Sequence, residues 1–128
     1  MIRVFVKKQS KYPVSGPNIK KKLKEYLEKQ GIVSDSEVSV GIVGIKKMKS
    51  LSGKYLNDDL VHNVLSFTYQ ETGEKFAEPP DEVIQLGEIY LCFPKIFEEA
   101  KDEGVLIEKK VEELLKHGAD HLLGKHHE

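Results

Sequence analysis

Three histidines near the C-terminal end of the sequence, His117, His121 and His127, have a spacing typical of a metal site. On an α-helix, side chains four residues apart share a face, about 5 to 6 Å apart at Cβ, so the first two can reach one ion. Gly124 predicts the helix end, where a left-handed turn lets His127 supply a third ligand. Three protein ligands and one open position are typical of catalytic zinc. We therefore predict one zinc per chain, with His126 as the alternative third ligand.

The segment before these histidines has the periodicity of an amphipathic helix. Its apolar stripe comprises Ile107, Val111, Leu114, Leu115, Gly118 and Leu122. His117 and His121 fall at the edge of this stripe, so we expect both to be half-buried, with one ring nitrogen for a metal and the other for a protein partner. Asp120 is expected on the far side of the helix. The alternative is a C-terminal helix with ordinary surface histidines and a disordered tail.

The same histidine pattern is also found in zinc proteases, which carry a glutamate directly after the first histidine as general base. In this chain that position is Gly118. The missing carboxylate disfavours a protease.

Hydrophobic periodicity predicts an α+β fold, with helices packed on a four-stranded sheet in a single domain over residues 1–128. A loop is expected over residues 70–84, and the metal helix from about Ile107. The other predicted elements are strands near 2–6, 38–45, 64–69 and 88–93 and helices near 19–30, 45–51 and 94–102.

Composition excludes several classes of protein. No apolar run approaches the roughly 20 residues that a membrane span needs, and the first residues lack a signal-peptide pattern, so a cytoplasmic protein is expected. Cys92 is the single cysteine of the 128 residues, which rules out an internal disulfide. Its apolar surroundings predict a buried side chain rather than a reactive thiol.

The formal net charge of −1 conceals a strong asymmetry. Residues 1–54 hold thirteen Lys or Arg against four Asp or Glu, whereas residues 55–128 hold seven against seventeen. Each basic cluster alone is typical of a solvated helix face. Together with a metal site they predict contacts to RNA phosphates. The clusters are Lys20, Lys21, Lys22 and Lys24, and Lys46, Lys47, Lys49 and Lys54, of which the second group is the predicted RNA-binding set.

Three segments in order resemble the YbeY endoribonucleases of ribosomal RNA maturation. The ending HGADHLLGKHH is similar to the family's HGxLHLxGYDH. LSGKYLNDDLVHNVLSFT, residues 51–68, is similar to LNxxYRxxDxxTDVLSFP, and LGEIYLCFP, residues 86–94, is similar to LGDIxIxxP. The blocks together span residues 51–127.

This resemblance implies a mixed four-stranded sheet with one antiparallel strand. It also implies a zinc-dependent endoribonuclease specific for single-stranded RNA, acting at the 3' end of small-subunit ribosomal RNA and in ribosome quality control. The implied partners are that RNA and the ribosome. Ser66 is a candidate to offer its hydroxyl to a phosphate or to a water on the metal, and the alternative is a hydrogen bond to backbone.

Several positions depart from the family pattern. The family arginine is replaced by Leu56, its aspartate by Asn63, its threonine by His62 and the aspartate of LGDI by Glu88; the Tyr-Asp pair before the last histidine is Lys125 and His126. Lys54 is a candidate to replace the arginine. The loss of charge at Leu56 and Asn63 leaves an alternative function, a metal-stabilised ribosome-assembly factor that binds RNA without cutting it.

Overall fold

A computed structural model describes residues 1–9, 11–68, 71 and 83–124 of the chain. The described residues form an α+β fold with a four-stranded sheet and four helices, as predicted. The strands are β1 (Ile2–Lys8), β2 (Ser36–Val43), β3 (Val64–Phe67) and β4 (Ile84–Cys92). The helices are α1 (Gly16–Lys29), α2 (Ile45–Tyr55), α3 (Phe93–Glu103) and α4 (Ile107–Leu122).

The strand order is β1-β2-β4-β3. β1 and β4 both pair in parallel with β2, and β3 pairs antiparallel with β4. This confirms the mixed sheet with one antiparallel strand. Both β1 and β3 are therefore edge strands.

The two faces of the sheet are covered by different helices, because successive side chains of a strand point to opposite sides. On one face α1 and α4 enclose the larger core, which includes Val40, Ile89 and Leu91. On the other face α2 packs over β3 and β4, where Met48 and Cys92 are fully buried. Burial raises the pKa of the Cys92 thiol, in agreement with the predicted buried role.

The helix ends follow from capping residues. The Ser15 hydroxyl accepts a hydrogen bond from the backbone N–H of Asn18, 3.1 Å away, so α1 begins three residues before the predicted start. Gly31 and Gly124 have φ values of 95° and 74° and stand just past the ends of α1 and α4. The predicted helix stop at Gly124 is therefore confirmed.

Strand β4 begins four residues before the predicted position. Ile84 falls within the predicted loop and Gln85 and Gly87 lie outside the predicted strand, but all three pair with β2, and the side-chain amide of Gln85 donates to Glu37 at 2.6 Å. A register shift next to Glu37 is matched by Gly87 with φ of 140°. A β-bulge breaks the alternation on which the sequence-based assignment depends.

Lys110 links α3 to α4 from a buried position. Its ammonium group lies 2.9 Å from Glu103, 3.7 Å from Glu113 and 3.8 Å from Glu99. The hydrogen bond to Glu103, with the neighbouring carboxylates, raises the pKa of Lys110 despite its burial. The buried side of α4 thus includes one charged side chain, with two carboxylate partners on the preceding helix and one, Glu113, on α4 itself. None of the described helices is both long and apolar enough to cross a membrane.

Tyr26 of α1 donates a hydrogen bond to Asp120 of α4 at 2.6 Å. This bond, together with burial and the charge of Asp120, raises the pKa of Tyr26 to about 12. The interaction joins the two helices that cover the larger core, so it stabilises their relative position.

Replacing Gly87 with Ala is expected to lower the free energy of unfolding by at least about 3 kcal/mol. The new Cβ would lie 2.2 Å from the Phe67 carbonyl oxygen and 2.7 Å from Leu122, and φ is positive. Gly31→Ala is the matched control, since its φ is also positive but no atom lies within 4 Å, and should cost only about 1 kcal/mol. Urea unfolding measures both, and equal losses would contradict the close packing at Gly87.

The Tyr26 bond predicts a loss of stability in alkali. The folded protein holds the phenolic proton more tightly than the unfolded chain, whose tyrosine titrates near 10. The stabilisation is therefore complete below pH 10 and disappears as the pH rises to about 12. The stability difference between wild type and Tyr26→Phe, measured by urea unfolding, should shrink across this window. In Asp120→Asn the phenol absorbance should titrate closer to pH 10; parallel stability profiles for wild type and Tyr26→Phe would refute the assignment.

Candidate functional site

Helix α4 presents His117 and His121 one turn apart, next to β3. His117 is exposed, whereas the His121 side chain is 36% exposed. Only His121 therefore matches the expected half-buried position. The other predicted ligands, His127 and its alternative His126, lie outside the described residues.

The Ser66 hydroxyl lies 2.6 Å from Nδ1 of His121. Ser66 is on β3 and faces α4, because it pairs with Ile89 of β4, whose side chain belongs to the larger core. The serine thus contacts a predicted metal ligand through a side-chain hydrogen bond, rather than the backbone. A short hydrogen bond at one ring nitrogen fixes the ring and leaves Nε2 for another partner.

Glu71 stands at that second nitrogen, with its Oε2 3.3 Å from Nε2 of His121. Desolvation raises the pKa of this carboxyl, but hydrogen bonds from the Thr68 backbone and hydroxyl, with the charge of His121, lower it overall. The Thr68 N–H donates to Glu71 at 2.9 Å. An ionised carboxylate beside an imidazole nitrogen is a group that a divalent cation could use.

A cleft of about 480 Å³ opens beside His117, between α4 and the start of β3. Asp120 lines it together with His117, so the expectation that Asp120 lies on the far side of the helix was wrong. Residues i and i+3 of a helix are neighbours, which the stripe-based assignment ignored. The other lining residues are Tyr26, Asn63, Val64, Glu113, Leu114 and Lys116.

Gly118 explains why α4 comes so close to the sheet. A Cβ at this position would lie 3.0 to 3.2 Å from three side-chain atoms of Ile89. The position is buried against β4, so a glutamate there could not point into the cleft that His117 lines. A protease is therefore disfavoured for two reasons: the signature glutamate is replaced by Gly118, and the space at Gly118 would not admit it in the cleft.

The predicted RNA-binding lysines, Lys46, Lys47, Lys49 and Lys54, are all exposed on α2. Because α2 and α4 cover opposite faces of the sheet, the structure does not bring this set together with the histidines. Lys54 lies over the Tyr55 ring, 4.9 Å from its centroid. Lys54 belongs to the last turn of α2, which ends at Tyr55 and is capped by Leu56, and not to a strand.

Most of the side chains that differ from the family pattern have hydrogen-bond partners in the fold. Asn63 donates to Glu99 of α3 at 2.8 Å, and His62 lies 3.2 Å from Asp58. Leu56 caps α2 and is 44% exposed. Glu88 faces the α2 side of the sheet and accepts a hydrogen bond from the Tyr90 hydroxyl. Of these positions only Asn63 lines the cleft with His117.

The described residues fit part of a metal site. His117 and His121 supply two imidazoles on one helix face, and the Ser66 hydroxyl is hydrogen-bonded to the His121 ring. Among the described residues, no three His, Cys, Asp or Glu side chains converge on one point. The third predicted ligand lies beyond them, so the site as predicted remains a prediction.

Sequence reasoning missed two residues of this region. Glu71 lies in a polar segment with no motif, and its proximity to His121 depends on the path of the chain after β3. Lys116 was not singled out, although it lines the cleft and is paired with Glu112 at 3.3 Å. The one sequence signal for Lys116 is its place in the predicted helix α4, directly before His117.

Comparisons with known proteins agree with this arrangement. Residues 5–128 match the family model described as Endoribonuclease YbeY. A Dehalococcoides mccartyi protein of that name is 36% identical over 99% of this chain and 78% of its own length. A Thermus thermophilus one is 30% identical over 94% of this chain and 84% of its own length.

A solved structure supports the same relationship. The solution structure of TM1509 from Thermotoga maritima is similar over 100% of this chain and 75% of that one, with a TM-score of 0.58 and 28% identity. The Dehalococcoides and Thermus relatives are named endoribonucleases, which are hydrolases of RNA phosphodiester bonds. With the motif order, the mixed sheet and these matches, the chain belongs to the YbeY endoribonuclease family.

Proposed function

We propose that this protein is a zinc-dependent endoribonuclease that cuts single-stranded RNA, with one zinc per chain. Its substrate is the 3' end of small-subunit ribosomal RNA, and it acts in the cytoplasm, on the ribosome, in rRNA maturation and quality control. Family membership supports the reaction class. One structural observation supports the site: His117 and His121 lie one turn apart, and the His121 ring is hydrogen-bonded to Ser66.

The zinc would be held by His117 and His121, with His127 as third ligand and His126 as the alternative. When bound, the ion would act as a Lewis acid towards a phosphoryl oxygen and lower the pKa of a coordinated water towards about 7. This chemistry needs no glutamate at Gly118.

The chain's own side chains prepare His121 for this role. A metal takes the nitrogen that carries no proton, so Nε2 is available when Nδ1–H donates to the Ser66 oxygen. Ser66 is thus a positioning residue. Glu71, at 3.3 Å from Nε2, keeps a negative charge at the same place and favours a cation there.

The cleft beside His117 is the place that we assign to an extended RNA strand. Its lining includes one lysine, Lys116, beside the carboxylates of Glu113 and Asp120, and Val64 supplies an apolar wall. Asp120 is tied to Tyr26, which keeps its carboxylate on one side of the cleft. We propose that the scissile segment lies here, whereas the α2 lysines bind RNA beyond the β3 edge.

The alternative is a ribosome-assembly factor that binds RNA and a metal but does not cut. Two observations favour it: Leu56 replaces an arginine that could stabilise charge on the phosphate, and the α2 lysines lie on the other face of the sheet from the histidines. The loss of one such donor typically costs a few kcal/mol of transition-state stabilisation.

The metal site predicts a pattern of zinc contents. His117→Ala and His121→Ala should each lose most of the bound zinc, while His62→Ala, whose imidazole pairs with Asp58, should retain it. Ser66→Ala should weaken zinc binding about 10- to 100-fold, because it removes the partner of Nδ1. Metal analysis and competition with a chelating dye measure this.

Two controls sharpen the zinc experiment. Ser50→Ala, an exposed serine on α2, should bind zinc as the wild type does. His127→Ala compared with His126→Ala assigns the third ligand. Full zinc retention in His121→Ala would disprove the proposed ligand set.

Cleavage separates the two functions. An enzyme should cut a single-stranded rRNA fragment only with metal, and a chelator should stop it. Leu56→Arg should speed cleavage or leave it unchanged, because the family arginine would be restored. Leu60→Arg, the same change at an exposed leucine four residues away, is the control and should have no effect.

A binding factor would keep its RNA affinity and show no metal-dependent cutting. In both cases the affinity should fall steeply with salt, by a slope of about −0.7 per phosphate contacted. Replacing Lys46, Lys47 and Lys49 with Gln should flatten that slope by up to about 2, whereas the same change at three exposed α1 lysines should flatten it less. Salt-independent binding, or none, would contradict both functions. The α1 control positions are Lys20, Lys21 and Lys24.

A further inference from the structure

The open part of the sheet carries a small slot on the face opposite the histidines. Where α2 does not cover the sheet, a cavity of about 260 Å³ lies over β1, β2 and β4. Its floor is formed by Ser39 and Gly41 of β2, two of the smallest residues. Its walls are Phe5 on β1 and Tyr90 on β4.

The two aromatic side chains that form the walls differ in exposure and packing. Phe5 is 50% exposed, although it stands in the middle of a strand. Tyr90 lies over the β2 backbone, because a Cβ on Gly41 would be only 2.9 Å from the Tyr90 ring. Glycine at this position therefore both lowers the floor and lets the ring approach.

The size and chemistry of the slot suit one planar ring system. Its volume is near the lower end of small-ligand sites, about 300 Å³. Stacking of a nucleobase on an aromatic side chain requires an exposed aromatic face, which Phe5 offers. The Ser39 hydroxyl and the Glu88 carboxylate add hydrogen-bonding groups within the same cavity.

Charge on β1 favours a polyanion. Arg3, Phe5 and Lys7 alternate along the strand and therefore point to the same face, roughly 7 Å apart from one to the next. Arg3 and Lys7 are exposed, and the Arg3 contact to Glu37 is a loose surface pair at 3.7 Å. A cation on each side of an exposed aromatic ring matches a stacked base between two phosphates.

Glu88 gives the slot a preference among bases. A carboxylate only accepts hydrogen bonds, and it has room for several. One of its oxygens accepts from Tyr90. Guanine presents two adjacent donors, N1–H and N2–H, to such a carboxylate, whereas uracil presents a single N–H donor.

We propose that this slot binds one unpaired base of single-stranded RNA, with guanine preferred, outside the histidine cleft. The ligand class rests on the proposed function, but base binding here needs neither metal nor cleavage. Phe5 stacks on the base, Lys7 contacts an adjacent phosphate, and Glu88 accepts from the base edge.

The test measures the binding of a labelled 12-nucleotide oligouridine with one central guanosine, by fluorescence anisotropy in excess chelator. Phe5→Ala should weaken binding about tenfold, as expected for one stacked base. Phe97→Ala on α3 is the matched control, since Phe97 is also 50% exposed but lies outside the slot. It should bind as the wild type does.

Base preference is tested with the same strand carrying an abasic site or uridine in place of guanosine. Wild type should prefer guanosine, and Glu88→Gln should reduce the preference. Amide NMR shifts of Ser39 and Gly41 on addition of the guanosine strand provide a readout on the unaltered chain. No shift at these amides, or equal binding by Phe5→Ala and Phe97→Ala, overturns the proposal.

Two further outcomes are informative. If Phe5→Ala instead converts a dimer to a monomer in sedimentation, the slot is a contact between copies and the proposal is wrong. If guanosine binding persists in a protein that cuts no RNA, the slot stands while the proposed cleavage activity fails.

Discussion

The close contact between Gly118 of α4 and Ile89 of β4 is the constraint on which the site depends. It lets the helix backbone approach the sheet, so that His121 reaches Ser66 on the neighbouring strand. Gly87 contributes in the same way, because a side chain there would collide with Leu122. Because protein interiors are close-packed, a shift of α4 by a few tenths of an ångström at this contact would move His117 and His121 together.

The fold separates the two kinds of chemistry that the sequence predicted together. The histidine cleft lies on the face covered by α1 and α4, and the predicted RNA-binding lysines lie on α2 on the other face. Within the described part of the chain, the edge strand β3 lies between these two regions. An RNA strand that used both regions would have to wrap around this edge, where Asn63 joins the cleft to α3.

The residues around Asn63 favour an amide at this position over the family's aspartate. The amide donates to Glu99, whose carboxylate also lies 3.8 Å from Lys110. An aspartate at position 63 would place two carboxylates within hydrogen-bond distance, which is unfavourable without a further change. Asn63, Glu99 and Lys110 thus link the residue before β3 to α3 and α4.

The sequence by itself determined the element types, the helix stop at Gly124 and the family, since periodicity, glycine and motif order are local properties of the chain. The resemblance supplied the antiparallel strand. Tertiary structure alone decided the early start of β4, the place of Asp120 in the cleft, and the partners of Ser66 and His121. These depend on a β-bulge, on the rotation of α4 about its axis, and on contacts between residues as far as 94 positions apart. No local pattern encodes them, because each is fixed by how one packed layer meets another.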